Sequence, residues 1–477
     1  MACPDALEAS DLLIVGGGTA GLSAGVAAAQ AGGRVTILEA GDSLGGTLFL
    51  SAGQMSAAGT RLQHALGIDD SPEAHVEDIM RISADTANPT IVGLAARHAA
   101  EMYDWLESCG FSAAPACPVV GIDHEPYSRR RFVWGEDGGR SILKVLMAQL
   151  GPHLRSRRVA TFLGTRVTRL LTEGPAVVGA ECESGGVTVR HLARATLLTT
   201  GGYTANVAMT EKLTGYEQPA VMSWAGAQGD GLRMAMDVGG RARGRENVVT
   251  RFGAILESDA KPSRAIATFE SYPERRAPWE IYVNAAGRRF MREDEPGIGS
   301  RSRALQDQPR QRCWIIFDQT ILDTASPGIR GWTRAQMMAA FDGHAMFARA
   351  DSLQALALAC GLDGEALQST VARYNASQQR GADAAFGRVH MPAPIMTGPF
   401  YAIRQQAFAT TSSVGLAVDG ELRVIDLADR PIPGLYAAGE ILGAAALMGR
   451  SFCGGMMLTP ALTFGRLLGR TLARPAA

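Results

Sequence analysis

Short apolar runs broken by glycine dominate the opening of the chain. Residues 11–15 read as a buried strand that runs straight into Gly16-Gly17-Gly18-Thr19-Ala20-Gly21. A helical stretch follows, then a second strand over 34–38 that ends at Glu39. Helical spacing returns over 71–85 and 90–108. Alternating apolar positions over 159–172, 176–183 and 187–192 predict a small antiparallel meander. It leads to a buried strand beginning at Ala195 and closed by Gly201-Gly202. From about 242 to 398 the texture changes: Arg and Pro rise, and Trp279, Trp314 and Trp332 appear. The tail returns to the opening style, with a hairpin pattern over 415–425, a strand over 433–440 and an amphipathic helix over 458–473.

Strand, glycine turn, helix, strand and acid together form a dinucleotide-binding unit, and each part has a physical task. Gly16 permits the tight turn, Gly18 lets main chain approach a pyrophosphate, and Gly21 lets helix pack on strand. Thr19 and Ala20 open the helix, whose free N–H groups and positive dipole end suit phosphate. Glu39 is placed to accept hydrogen bonds from a ribose hydroxyl pair.

At 477 residues the chain exceeds one ordinary core, and its formal net charge of -1 offers no basic surface for nucleic acid. The seven cysteines are scattered with no C-x-x-C pair, which argues against zinc, iron–sulfur or haem attachment and fits a reducing compartment. No metal site is expected. Residues 1–10 carry acids and no apolar core, and no apolar run approaches a membrane span, so a cytoplasmic protein is expected.

Taken in order, the landmarks resemble the flavoprotein family of soluble fumarate reductases and 3-ketosteroid dehydrogenases. Its carriers are Gly16-x-Gly18-x-x-Gly21 with Glu39, Gly45-Gly46-Thr47 followed by Ser51-Ala52-Gly53, and Thr199-Thr200-Gly201-Gly202-Tyr203. Gly229-Asp230-Gly231, Asn284-x-x-Gly287-Arg288-Arg289-Phe290, Gly434 to Glu440 and the closing Gly454-Gly455 complete the set. The resemblance implies an α/β protein: a discontinuous Rossmann-like FAD-binding domain (1–241 and 399–477) with an inserted α+β capping domain (242–398) over the flavin. FAD is then held non-covalently, since Leu48 and Phe49 follow Thr47 where covalent members carry histidine. The small residues at 51–53 and 454–455 let main chain reach the flavin ring, with the helix from Leu458 aiming its amino end there. Gly201, Asp230, Gly439 and Glu440 join the cofactor set, Glu440 towards the ribityl and pyrophosphate region.

Two chemistries compete on this resemblance. Fumarate reductases clamp two carboxylates with histidine and arginine, but here 410–415 lacks histidine, Phe452 stands for the closing arginine, and the cap arginine falls near Gly297. The segment 448–465 is closer to the ketosteroid dehydrogenases, in which a tyrosine hydroxyl and a glycine N–H polarise a ketone while a cap tyrosine removes the adjacent proton. Gly455 supplies the N–H; Phe452 stands for the first tyrosine, and the cap tyrosine again falls near Gly297.

Candidates for the missing roles are Tyr127 as acid or base, Arg450 beside the closing loop, and Thr411 and Ser412 as substrate donors. Arg251, Arg301 and Arg303 are candidate carboxylate clamps, and His124 a minor candidate. The expectation is an FAD-dependent desaturase of a small-molecule cyclic ketone, steroid-like or smaller, such as an oxocyclohexane carboxylate. Its electrons would pass to oxygen or a separate carrier. The alternatives are reduction of an unsaturated carboxylate, or an inactive flavin-binding partner subunit.

Overall fold

The structure, a computed structural model, describes residues 9–122, 125–217 and 220–473. Cys3, His124 and most of the leader reading over 1–10 lie outside the described residues. The chain forms two compact units, one from Met1–Gly215, Ser223–Val249 and Thr411–Ala477, the other from Tyr216–Met222 and Thr250–Thr410.

The first unit is built on a parallel sheet. β1 (Ser10–Val15) pairs with β2 (Val35–Leu38), Leu13 opposite Thr36, and α1 (Thr19–Gln30) makes the crossover. On its other edge β1 pairs in parallel with Val187–Leu198, which pairs in turn with Pro431–Ala437. The strands expected at 187–192 and from 195 are one continuous strand. Its outer part pairs antiparallel with Ala176–Ser184, and its inner part enters the parallel sheet. The hairpin expected over 415–425 forms, Ile425 N donating to Ala417 O and Asp419 N to Arg423 O, and its arms also pair outward: Gly415–Leu416 with Ala242–Arg243, and Arg423–Ile425 with Pro431–Ala437. The two expected helices form as Pro72–Ser83 and Pro89–Ser108, each opened by proline and capped by Ser71 and Asn88.

α1 is buried along almost its whole length because Ala and Gly fill it. That narrow cross-section lets the helix Leu458–Leu472 lie directly against it. Ser23 Oγ donates to Leu462 O at 2.7 Å, and Gly465 and Gly469 sit on the main chain of Ala20 and Ala24. Contacts advance in the same direction on both helices, so the two run parallel and their amino ends lie together.

The second unit is α+β. Phe400–Phe408 is its central strand, paired antiparallel with Arg312–Asp318, Arg251–Leu256 and Phe347–Ala350. That strand carries the unit past residue 398. Helices including Ile298–Gln306 and Gly364–Arg380 flank the sheet over a core that includes Ile281, Ile315, Ile316 and Ile403.

A side chain at Gly465 has no room, since its Cβ would collide with Ala20 O and meet Ser23 Cβ at 2.9 Å. The expected outcome of Gly465→Ala is a loss of about 1–3 kcal/mol in urea unfolding, together with weaker cofactor retention. Gly343→Ala is the control: nothing lies within 4 Å of its Cβ position, and the change should stay within roughly 0.5 kcal/mol.

Candidate functional site

The carboxyl ends of the parallel strands meet at one cradle. Gly16 (φ +103°) is pressed on Thr199, whose carbonyl oxygen would lie 2.6 Å from an added Cβ, and Thr199 Oγ1 donates to Gly16 O at 2.7 Å. Gly21 is closed by Gly16 O. Gly18 and Gly201 are the reverse: a Cβ there would meet nothing within 4 Å. So one side of the glycine turn is packed and the other is open. The open side faces the first turn of α1, which has no capping side chain and no acid. Its N–H groups are left for an anion. Glu39 closes the β2 end, Oε2 accepting from Gly17 N and Oε1 from Gly41 N, both at 2.7 Å. Each carboxylate oxygen keeps a further lone pair for a ribose hydroxyl.

A second wall comes from the segment after β2. Gly45 N donates to Gly17 O at 2.9 Å, and the Cβ position of Gly46 faces Gly18 Cα at 3.4 Å. Thr47 and Ala52 are exposed, while Ser51 Oγ accepts from Gly53 N and Ser51 O from Gly139 N. At the Pro431–Ala437 end, Gly439 approaches Ala20 of α1. Glu440 accepts from Ser412 N at 2.9 Å, and burial pushes its carboxyl up against that bond.

The closing loop lies at the amino end of Leu458–Leu472, a helix with neither capping side chain nor acid in its first turn. Gly455 (φ +81°) is packed on the main chain of Met55 and Ser56, and Thr459 Oγ1 accepts from Ser56 N at 2.9 Å. Tyr127 Oη donates to Gly454 O at 2.5 Å. The tyrosine is buried, its ring edge-on to His75 and beneath the Arg131 guanidinium. Burial holds its hydroxyl well above the ordinary tyrosine range. Arg131 is itself fixed by a bidentate pair to Asp70 and by Asp78.

Other expected residues fall differently. The Asp230 carboxylate pairs with Arg166, and the flanking Gly229 and Gly231 do the packing, against Tyr203 and Thr200. Ser412 Oγ accepts from Tyr203 N at 2.7 Å, so its oxygen is tied to the scaffold through a lone pair. Tyr127 is committed to a carbonyl in a site without water-exposed surface, which suits a positioning residue better than an acid or base. Arg450 is exposed, its main-chain N–H donating to Thr86 Oγ1, while Phe452 and Thr411 are half-buried. In the second unit Arg251 and Arg303 are half-buried and Arg301 is fully buried. Gly297 caps the helix that carries Arg301.

Sequence reasoning missed His75 and the Ser56–Thr459 tie. His75 is fully buried, and neither ring nitrogen has a partner; burial first, then Arg131, lowers its pKa to about 3. A lone histidine on a helix carried no signal, whereas Thr459 stood in the quoted closing segment without a role. Among the described residues no group of His, Cys, Asp and Glu could hold a metal, and no helix is long and apolar enough to cross a membrane.

Comparison with known proteins fixes the family. The profile of the FAD binding domain family matches residues 11–455, and the chain belongs to that family. It is 28% identical over 480 residues to a fumarate reductase (cytochrome) of Shewanella frigidimarina, covering 97% of this chain and 77% of that protein. It is 26% identical over 512 residues to a digoxin reductase of Eggerthella lenta, covering 97% and 87%. Over 551 residues it is 26% identical to 4-oxocyclohexanecarboxylate 2-dehydrogenase of Sinomonas cyclohexanicum, covering 98% and 93%. The chain is an FAD-dependent oxidoreductase acting on CH–CH groups. The residues present fit FAD: the open face of Gly18 and Gly201 leaves room for it, two uncapped helix amino ends offer N–H donors, and the Glu39 carboxylate offers an acceptor.

Tyr127→Phe should keep FAD bound and lower turnover without removing either limb of the pH–rate profile; loss of a limb would return Tyr127 to acid–base duty. His75 sets a second expectation. The unfolded histidine takes up a proton near pH 6.5 and the folded one only near 3, so unfolding binds protons across that window. Stability should therefore fall with acidification from pH 6.5, by up to about 1.4 kcal/mol per pH unit. Thermal melts of His75→Phe between pH 6.5 and 4.5 should show a flatter dependence than the parent.

Proposed function

We propose that this member of the FAD binding domain family desaturates a cyclic ketone, removing hydrogen from the carbon–carbon bond next to the carbonyl. The observation that carries the reading is the loop Cys453 to Gly455. Cys453 N donates to Met448 Sδ, whereas the main-chain N–H groups of Gly454 and Gly455 have no acceptor among the described residues and lie at an uncapped helix amino end. Neutral donors of this kind suit a ketone oxygen as negative charge develops on it. Phe452, beside them, adds an apolar surface rather than a charge that would compete for the oxygen.

Bound FAD supplies the hydride acceptor. The protein's part is to hold the donors still. Tyr127 anchors the Gly454 carbonyl, Ser56 and Thr459 fix the other side of the loop, and Arg131 is locked below by Asp70 and Asp78. Rigid donors need no reorganisation as the oxygen gains charge. Polarisation of this kind is needed because a carbon–hydrogen bond beside an unactivated ketone is too weakly acidic for a side-chain base.

A second reading, reduction of an unsaturated carboxylate, is supported by the likeness to the Shewanella fumarate reductase. Anaerobic mixing with small cyclic ketones separates the two. Bleaching of the oxidised flavin band by a saturated ketone is the expected outcome. Failure of every ketone, with reoxidation of dithionite-reduced enzyme by unsaturated acids, would reverse the assignment.

A further inference from the structure

Three buried arginines of this protein invite comparison. Arg131 holds Asp70 through Nε (2.9 Å) and Nη2 (2.7 Å). Arg289 holds Glu293 through the same two nitrogens, Nε at 2.7 Å and Nη2 at 2.5 Å. In both, the side edge of the guanidinium meets the two oxygens of one carboxylate, the bidentate geometry for which arginine is suited.

Arg301 has the same edge and no acid on it. It lies in the first turn of Ile298–Gln306 and is 1% exposed. Nη1 donates to Glu295 O at 2.8 Å, and the guanidinium lies over the Tyr272 ring, 4.9 Å from its centroid. Nε and Nη2 are buried and have no partner. A buried cation left with two unsatisfied donors is costly, because both its charge and its N–H groups have lost water. The guanidinium cannot escape by giving up its proton; burial lowers its pKa, yet arginine stays charged in proteins.

We infer that Arg301 is a carboxylate seat: its free Nε–Nη2 edge takes the carboxylate of a small-molecule ligand. Tyr272 backs the guanidinium plane and the Glu295 carbonyl fixes its rotation, so the edge is oriented before a ligand arrives. The seat lies within the second unit and depends neither on the reaction proposed above nor on its direction.

The test is calorimetric titration of the FAD-loaded full chain with 4-oxocyclohexanecarboxylate and with its neutral carboxamide. The parent should prefer the carboxylate, and Arg301→Met should bring the affinity ratio close to one, a loss on the order of 100-fold. Arg301→Lys keeps the charge without the fork and should fall between them. A ratio unchanged in Arg301→Met, or a parent without preference, overturns the inference. If the methionine variant fails to fold, the lysine variant decides: parental preference there excludes the bidentate seat. Flavin bleaching is followed separately. An Arg301-dependent carboxylate preference without bleaching by any ketone would sink the proposed reaction and leave the seat standing.

Discussion

The contact between α1 and the helix Leu458–Leu472 is the constraint on which the first unit depends. Residues from opposite ends of the chain meet there at main-chain distance, with glycine and alanine in place of bulkier side chains. Close approach is the source of the site. Because the helices run parallel, their two uncapped amino ends lie together, and both dipoles favour negative charge in the same region. Gly439 joins them through Ala20 and Ala461. Larger residues along this seam would separate the helices and with them the two halves of the cradle.

Within each unit the protein treats buried charge in two ways. Several buried charges are fully satisfied. Arg131 has Asp70 and Asp78, and Arg289 has Glu293 and Asp383. Arg388 donates to the carbonyls of His390, Glu280 and Pro278. These arrangements lock loops in place, and removing one partner would strand the other in a medium of low polarity. Arg301 and His75 break the pattern differently. Histidine can shed its charge when buried, and burial with Arg131 nearby lowers the pKa of His75 accordingly. Arginine has no such route, so Arg301 carries an unmet demand for an anion on its Nε–Nη2 edge.

The cradle was legible in the sequence because its requirements are local. Gly16, Gly18 and Gly21 sit within one turn, and Glu39 follows one strand later, so spacing along the chain maps directly onto space. The same logic found the helices opened by Pro72 and Pro89. It failed where a role depends on distant partners. Nothing near Tyr127 announces that its hydroxyl reaches Gly454, more than three hundred positions away. Asp230 stands between glycines that pack on Tyr203 and Thr200, and nothing in that local pattern announces its pair with Arg166. Ser412 was singled out for its hydroxyl, and the fold uses that hydroxyl to hold Tyr203 N. Strand continuity at 187–198 was missed for a related reason. The change from alternating to continuous apolar residues marks a change of pairing partner, not an end of the strand.

The family's range of chemistries follows from this division. The seam and the glycine cradle are tied to the dinucleotide, and their main-chain contacts tolerate no larger side chain. The loop from Arg450 to Gly455 is bound by less. Its fixed points are a glycine against Thr86, the Gly454 carbonyl under Tyr127 and Gly455 on Ser56. Between them, Arg450 is exposed, while Phe452 is half-buried against the core of the first unit. A scaffold held by main-chain contacts can therefore keep its cofactor cradle while the exposed side chains of this loop vary.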